Sequence, residues 1–91
     1  MKPLLCVDFD NTIWHNGVIP GCIEKLTLLR QQYSIGIFSA RIGSERDVMK
    51  RLLDENQVPY DKILEQKPDA VAFIDDKGFK FESWDKVPSD F

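Results

Sequence analysis

The sequence is poor in the features that mark secreted and membrane proteins. Its 91 residues include only two cysteines, and no apolar run approaches the ~20 residues that a membrane-spanning helix needs. Residues 1–7 are too short for the apolar core of a signal peptide with its flanks, so we expect no signal peptide. Cys6 lies in an apolar run and Cys22 opens a predicted helix, which favours two reduced core thiols over a disulfide. We therefore expect a cytoplasmic protein without a membrane partner.

Positive charge is also scarce. Twelve Lys and Arg residues against fifteen Asp and Glu residues give a formal net charge of −3. This balance argues against loose, charge-driven binding to nucleic acid or to an anionic membrane, but it leaves room for a specific site for a phosphorylated ligand. Internal repeats, low-complexity segments and linkers are absent from the sequence, and its length predicts one small domain over residues 1–91.

Apolar periodicity predicts strands that alternate with helices. The predicted strands are 4–9, 34–39, 62–64, 70–74 and a short edge strand within 79–82, and the predicted helices are 21–33 and about 44–56. Such an alternation implies a single small α/β domain, Rossmann-like, with a central and mostly parallel sheet joined by right-handed crossovers.

The helices carry more detailed expectations. Ser44 is predicted to cap the second helix, with Asp47 as its capping-box partner, and Trp84 is predicted to cover the edge of the sheet. The residues expected to face the core are Ile23, Leu26, Leu29 and Tyr33 in the first helix and Val48, Met49 and Leu52 in the second.

Two carboxylates, Asp8 and Asp10, follow the apolar run 4–7. If the strand continued, these two side chains would point the same way, because side chains alternate along a strand. Two like charges that close repel, and each would prefer to be protonated unless a cation lies beside them. Carboxylate oxygens are hard ligands, so the expected cation is Mg²⁺.

Further polar residues follow other predicted strands. Ser39 ends the second strand, and Asp75 and Asp76 end the fourth. In parallel α/β sheets, ligands bind beyond the carboxyl ends of the strands. These residues are therefore predicted to form one site with Asp8 and Asp10. Each acidic pair taken alone could be a solvated loop end, and for 75–76 alone the two interpretations are equally good, but the presence of both pairs at strand ends disfavours a solvated loop.

Such a set of groups suits phosphoryl transfer. Asp8 could attack phosphorus to form an aspartyl-phosphate, while Asp10 protonates the leaving oxygen and then activates water. Ser39 could donate a hydrogen bond to the phosphoryl group, Lys67 could supply it with a positive charge, and 75–76 could complete the metal site.

The order Asp8-x-Asp10-x-Thr12, then Ser39, Lys67 and Asp75-Asp76, resembles the four motifs of the haloacid dehalogenase superfamily over roughly residues 4–80. The resemblance implies a three-layer core in which Asp8 is the nucleophile and Asp10 the general acid/base. It implies Mg²⁺ bound by Asp8, the Asp10 backbone carbonyl and Asp75, with Asp76 either beside them or holding a metal-bound water. Ser39 would bind phosphoryl oxygens, Lys67 would balance charge, and Thr12 would support the loop and the Asp10 carboxylate. An aspartate at position 10 separates the phosphatases of this superfamily from its dehalogenases.

The sequence departs from the usual pattern around Lys67. The segment Lys67-Pro68 stands only eight positions before Asp75, which leaves no room for the helix that commonly follows this lysine. Lys62 and Arg41 are the alternatives, and Arg41 could instead reach a substrate phosphate or a polar group beyond it.

Neither gap between the motifs can house a cap domain. By resemblance, an uncapped site implies a large or extended phosphorylated substrate, or a homo-oligomer whose neighbour supplies a lid. The loop 13–19 is the local candidate for a flap. Its Trp14, like Trp84, is more typical of a packing residue than of a substrate platform, and its His15 is more typical of a loop residue than of a catalyst.

Two other functions stay open at this point. The chain could be a non-catalytic metal- or phosphate-binding module, including a subunit that depends on a partner. It could also be a phosphoacceptor receiver domain, although the sequence has no lone aspartate ending a middle strand.

Overall fold

The computed structural model describes residues 2–66, 69–75 and 79–89. In chain order its elements are β1 (Leu4–Asp8), α1 (Cys22–Leu29), β2 (Ser34–Phe38), α2 (Ser44–Glu55), β3 (Lys62–Leu64), β4 (Ala72–Asp75), β5 (Phe79–Lys80) and a short 3₁₀ turn, Trp84–Lys86. Lys67 and Asp76 lie outside the described residues, and so do the predictions made for them.

The strands form one sheet in the order β3-β2-β1-β4-β5, and every neighbouring pair runs parallel. The predicted α/β domain with a central parallel sheet is confirmed, and the described connections form no cap domain. β1 lies in the middle, and its residues Leu5, Cys6 and Val7 are all buried. A strand that is covered on both faces reads as a continuous apolar run, which is why the sequence identified this one.

One apolar cluster forms the core. It joins Leu5, Val7 and their register partners Ile35 and Ile37 to buried residues of both helices. The helix residues buried in it are Cys22, Leu26 and Leu29 of α1 and Met49 and Leu53 of α2. Cys6 and Cys22 are buried free thiols, as predicted.

The first helix ends earlier than its apolar spacing predicts. α1 stops at Leu29, and the backbone N–H groups of Gln31 and Gln32 donate to carbonyls three residues back, which tightens the chain into a turn. The turn brings the chain directly into β2 at Ser34, while Tyr33 stays buried. The apolar position was therefore predicted correctly, but its secondary structure was not.

Two details of α2 differ from the sequence prediction. The residue at the helix N-cap is Gly43, and no side chain caps the helix, so the prediction for Ser44 was wrong. Gly43 has φ 57° and ψ −131°, a conformation that favours glycine. The core-facing residues are Met49 and Leu53, while Val48 is 36% exposed. The apolar face is thus turned by one position from the predicted one.

Trp84 is buried in the core at 1% exposure. Its indole Nε1 donates a hydrogen bond of 2.8 Å to the carbonyl of Thr12, and its ring meets Phe81 edge-on. A Cβ at Gly21 would lie 3.1 Å from the Cβ of Trp84, so the chain approaches this tryptophan closely. The C-terminal segment is therefore anchored to the loop after β1.

No helix in the described part of the chain is long and apolar enough to cross a membrane.

Candidate active site

Carboxylates end two neighbouring strands at the same edge of the sheet. Asp8 is the last residue of β1, and Asp75 is the last residue of β4. Val7 pairs with Ile74 in parallel register, so these two aspartates occupy the next position of each strand. Asp75 is 6% exposed, which places its carboxylate inside the protein.

Ser39 lies at the same edge on the other side of β1. It directly follows Phe38, which is the register partner of Asp8. The parallel sheet therefore brings Asp8, Ser39 and Asp75 to one edge, as the sequence predicted. Lys62, considered as a substitute for Lys67, begins β3 and pairs with Gly36, two register positions before this edge.

Asp10 lies in a tight turn that follows β1. The carbonyl of Phe9 accepts hydrogen bonds from the backbone N–H groups of Thr12, Ile13 and Trp14 at 3.3, 2.9 and 3.1 Å. Asn11 adopts a positive φ of 62°, a conformation that asparagine tolerates better than most residues. The chain thus leaves the sheet after Phe9, whose backbone N–H still donates to the carbonyl of Phe38 at 3.2 Å.

The Asp10 carboxylate is held by Arg41. Arg41 Nε donates to Asp10 Oδ2 at 3.1 Å, and its Nη2 donates to Oδ1 at 2.8 Å. The guanidinium also lies 5.1 Å from the centre of the Phe9 ring, and the Arg41 backbone N–H donates to Ser39 Oγ at 3.1 Å. The hydrogen bond to Asp10 raises the pKa of Arg41 above its usual value, although partial burial opposes this effect.

Sequence reasoning missed this ion pair, because the two residues are 31 positions apart. The signal was the register of a parallel sheet. Once Asp8 is aligned with Phe38, positions 10 and 41 both extend beyond the same edge. Within the described residues, the hydrogen bonds to the Asp10 carboxylate come from Arg41. Thr12 is instead buried at 3% exposure, and its carbonyl anchors the loop to Trp84.

The predicted flap is a compact hairpin. Trp14 bridges to Val18, and the backbone N–H of Ile19 donates to the carbonyl of Ile13 at 2.8 Å. The Trp14 ring stacks on Phe9 with centroids 6.3 Å apart, which agrees with its interpretation as a packing residue. His15 Nδ1 lies 3.1 Å from Asn11 Oδ1, so this loop is tied to the turn that carries Asp10.

Oxygen ligands for a metal are present at the edge, but three acidic, Cys or His side chains do not converge there within residues 2–66, 69–75 and 79–89. Asp76, the fourth predicted acidic residue, falls outside these ranges. Asp8 and Asp75 are the described side chains whose position suits a hard cation.

The fold and this edge define a small Rossmann-like α/β domain with a candidate site at the carboxyl ends of its strands. The chain is similar to a solved structure described as a conserved protein from Bacteroides thetaiotaomicron, with a TM-score of 0.76 and 24% sequence identity over 93% of this chain and 85% of that one. At this identity the likeness supports the fold alone. No known family model and no curated protein matches the chain.

Proposed function

We propose that the chain is a Mg²⁺-dependent phosphatase of the haloacid dehalogenase type, which hydrolyses phosphate monoesters through an aspartyl-phosphate on Asp8. The observation that carries this proposal is the register of the sheet. It sets Asp8 and Asp75 side by side at the carboxyl edge, with Ser39 on the adjacent strand. The order of these residues along the chain is the second support, because it matches the four motifs of that superfamily.

The metal would be held by oxygen atoms. Asp8 and Asp75 would supply carboxylates and Asp10 its backbone carbonyl, while Asp76 would add a further oxygen directly or through water. Such a donor set fits Mg²⁺, which prefers hard oxygen ligands. When bound, Mg²⁺ would screen the charge of the nucleophile from that of the phosphate and stabilise the charge of the transition state.

Asp8 and Asp10 divide the chemistry between them. A carboxylate oxygen of Asp8 forms a bond to phosphorus as the bond to the leaving oxygen breaks, and Asp10 gives that oxygen a proton. Asp10 then takes a proton from water, whose oxygen attacks the phosphorus of phospho-Asp8. Inorganic phosphate leaves, and Asp8 is regenerated. Ser39 donates a hydrogen bond to the phosphoryl oxygens, and Lys67 balances their charge.

The surroundings of Asp10 support its role as the general acid/base. Its side chain is 46% exposed, so substrate and water can reach it. The two hydrogen bonds from Arg41 fix the orientation of its carboxylate, which is the kind of pre-organisation that proton transfer needs. Because the described connections form no cap domain, the site would admit a large or extended substrate, or a second copy of the chain that acts as a lid. The acidic net charge disfavours a polynucleotide.

Turnover of p-nitrophenyl phosphate tests the proposal. The purified protein should release p-nitrophenol with Mg²⁺, lose this activity with EDTA and regain it when Mg²⁺ is added in excess. Asp8→Asn should remove turnover, because the amide is not a nucleophile. Asp47→Asn, which changes an exposed aspartate on α2, is the matched control and should keep the wild-type rate.

Three results would contradict the proposal. Wild-type activity in Asp8→Asn would show that Asp8 is not the nucleophile. Calorimetric binding of Mg²⁺ without turnover of any phosphate ester in a broad panel would instead favour a non-catalytic binding module. Stable phosphorylation by acetyl phosphate at a residue other than Asp8 would favour a receiver domain.

A further inference from the structure

We propose that Arg41 binds a second anionic group of the substrate, a carboxylate or a second phosphate attached close to the ester oxygen, and so selects the leaving group. This inference rests on the proposed phosphatase function. It assigns Arg41 to the part of the substrate beyond the phosphate that is cleaved.

Arg41 is held in place before any substrate binds. It makes two hydrogen bonds to Asp10, packs over the Phe9 ring and is fixed at its backbone by Ser39. Phe9 is fully buried, so the surface on which the guanidinium lies is part of the core. A guanidinium positioned in this way loses little further conformational freedom when it binds a ligand.

One edge of the guanidinium is left for a ligand. An arginine has five N–H donors, and the pair with Asp10 uses one on Nε and one on Nη2. Across residues 2–66, 69–75 and 79–89, the other three N–H groups of Arg41 donate no hydrogen bond. Two of them, one on each terminal nitrogen, point the same way and form a second pair of parallel donors, or fork, that can bind two oxygens of a carboxylate or a phosphate. Arg41 can therefore bind an oxyanion without releasing Asp10.

The position of Arg41 indicates which part of the substrate it meets. Asp10 must come within about 3 Å of the ester oxygen in order to protonate it. The guanidinium nitrogens are 2.8 and 3.1 Å from the carboxylate oxygens of Asp10, so they lie on the leaving-group side of the site. A group attached a few bonds beyond the ester oxygen is within reach of the second fork.

Electrostatics favour the same assignment. An anion that approaches Arg41 does not meet an uncompensated charge on Asp10, because Asp10 is either paired with Arg41 or carries the proton that it gives to the ester oxygen. The Arg41 side chain keeps 25% of its exposure, which leaves it accessible. Because the described connections form no cap, the choice of leaving group falls to residues of the core such as this one.

Three matched substrates test the proposal. Phosphooxypropanoate and propanediol bisphosphate carry a terminal carboxylate and a terminal phosphate, and hydroxypropyl phosphate has a neutral hydroxyl at the same place. The measurement is kcat/KM for each, in wild type, Arg41→Gln, Arg41→Lys and the control Arg46→Gln. Arg46 has a similar side-chain exposure of 28%, but its ion pair with Glu65 is long, at 3.8 Å.

The informative quantity is the ratio of kcat/KM for each anionic substrate to that for hydroxypropyl phosphate. Any effect of the substitution on Asp10 is common to the three esters and cancels in this ratio. A hydrogen bond between charged groups is worth about 1.5–3 kcal/mol, so the ratio should fall roughly 10- to 100-fold in Arg41→Gln. Arg41→Lys should lose several-fold, because an ammonium group cannot serve two forks, and Arg46→Gln should keep the wild-type ratio. The two anionic substrates show whether a carboxylate or a phosphate is preferred.

Two results would overturn the inference about Arg41, and a third would overturn the phosphatase function on which it rests. An equal loss on all three esters in Arg41→Gln would mean that Arg41 serves only Asp10 or the cleaved phosphate. A wild-type enzyme without preference for either anionic substrate would also exclude it. Absence of Asp8-dependent turnover on every ester would instead sink the phosphatase function itself. Circular dichroism checks that each variant is folded. If Arg41→Gln does not fold, the ratio measured for Arg41→Lys tests the inference in its place.

Discussion

The hydrogen bond between Trp84 and Thr12 offers a direct test of what holds the loop after β1. In Trp84→Phe the core keeps an aromatic ring, but the indole N–H that reaches the Thr12 carbonyl over 2.8 Å is lost. A buried acceptor left without its donor costs about 1–3 kcal/mol, and the smaller ring leaves a void that adds about 1 kcal/mol. Trp84 is 1% exposed, so solvent cannot easily replace the donor. The expected loss is therefore about 2–4 kcal/mol, a large part of the stability of a small domain.

Urea denaturation followed by far-ultraviolet circular dichroism measures this loss without relying on tryptophan fluorescence. With a slope of about 1 kcal/mol per molar urea, the midpoint should fall by about 2–4 M. Trp14→Phe is the matched control, because Trp14 is only partly buried and stacks on Phe9 through its ring. It should cost less than half as much. Equal losses in the two variants, or a loss under about 0.5 kcal/mol in Trp84→Phe, would refute the role given to this hydrogen bond.

Three further predictions concern stability and reactivity. The Asp61 carboxylate accepts the backbone N–H of Ile35 at 2.7 Å; burial raises the pKa of Asp61, but this bond and Arg30 outweigh it, so the pKa is lowered. The carboxylate therefore stabilises the fold above its unfolded pKa of about 3.9, and this stabilisation is lost as the pH falls toward the folded pKa. In urea denaturation, Asp61→Asn should be less stable than wild type at pH 7, and the difference in the free energy of unfolding should shrink in acid. Gly43→Ala should cost about 1 kcal/mol through backbone strain alone in the same assay, since a Cβ there meets nothing within 4 Å, and an unchanged midpoint would contradict this. Burial, with a smaller effect of Glu24, raises the pKa of Cys22 to about 12, so iodoacetamide at pH 8 should label it only after unfolding, as followed by mass spectrometry.

The strands of the sheet were predictable because each one depends on a local pattern. The apolar run before Asp8 predicted β1, and 62–64 was predicted with its observed bounds. Which helix residues face the core was less predictable, because a helix can carry more apolar residues than its buried face can hold. On α2 both Val48 and Met49 suit the core, and packing against the sheet selects Met49. That choice depends on how the helix lies on β-strands distant in sequence.

In the candidate site, too, some features follow from local sequence patterns and others depend on contacts between distant residues. The positions of Asp8, Ser39 and Asp75 follow from strand ends and the rule that parallel strands share a carboxyl edge. The partner of Asp10 does not follow from any local pattern, since Arg41 reaches it through the alignment of two strands. The anchoring of Thr12 by Trp84 is equally non-local, because 72 positions separate the two residues.

These non-local contacts determine how the motif can work. A turn with a left-handed residue at Asn11 is not rigid by itself, and it carries Asp10 into a half-exposed position. Trp84 fixes the turn from the core side, and Arg41 fixes the Asp10 carboxylate from the solvent side. Loss of either contact would leave all four motifs intact in the sequence while Asp10 lost its orientation. In the proposed chemistry the motif residues supply the reacting groups, and these two non-local contacts hold Asp10 and its turn where those groups can act together.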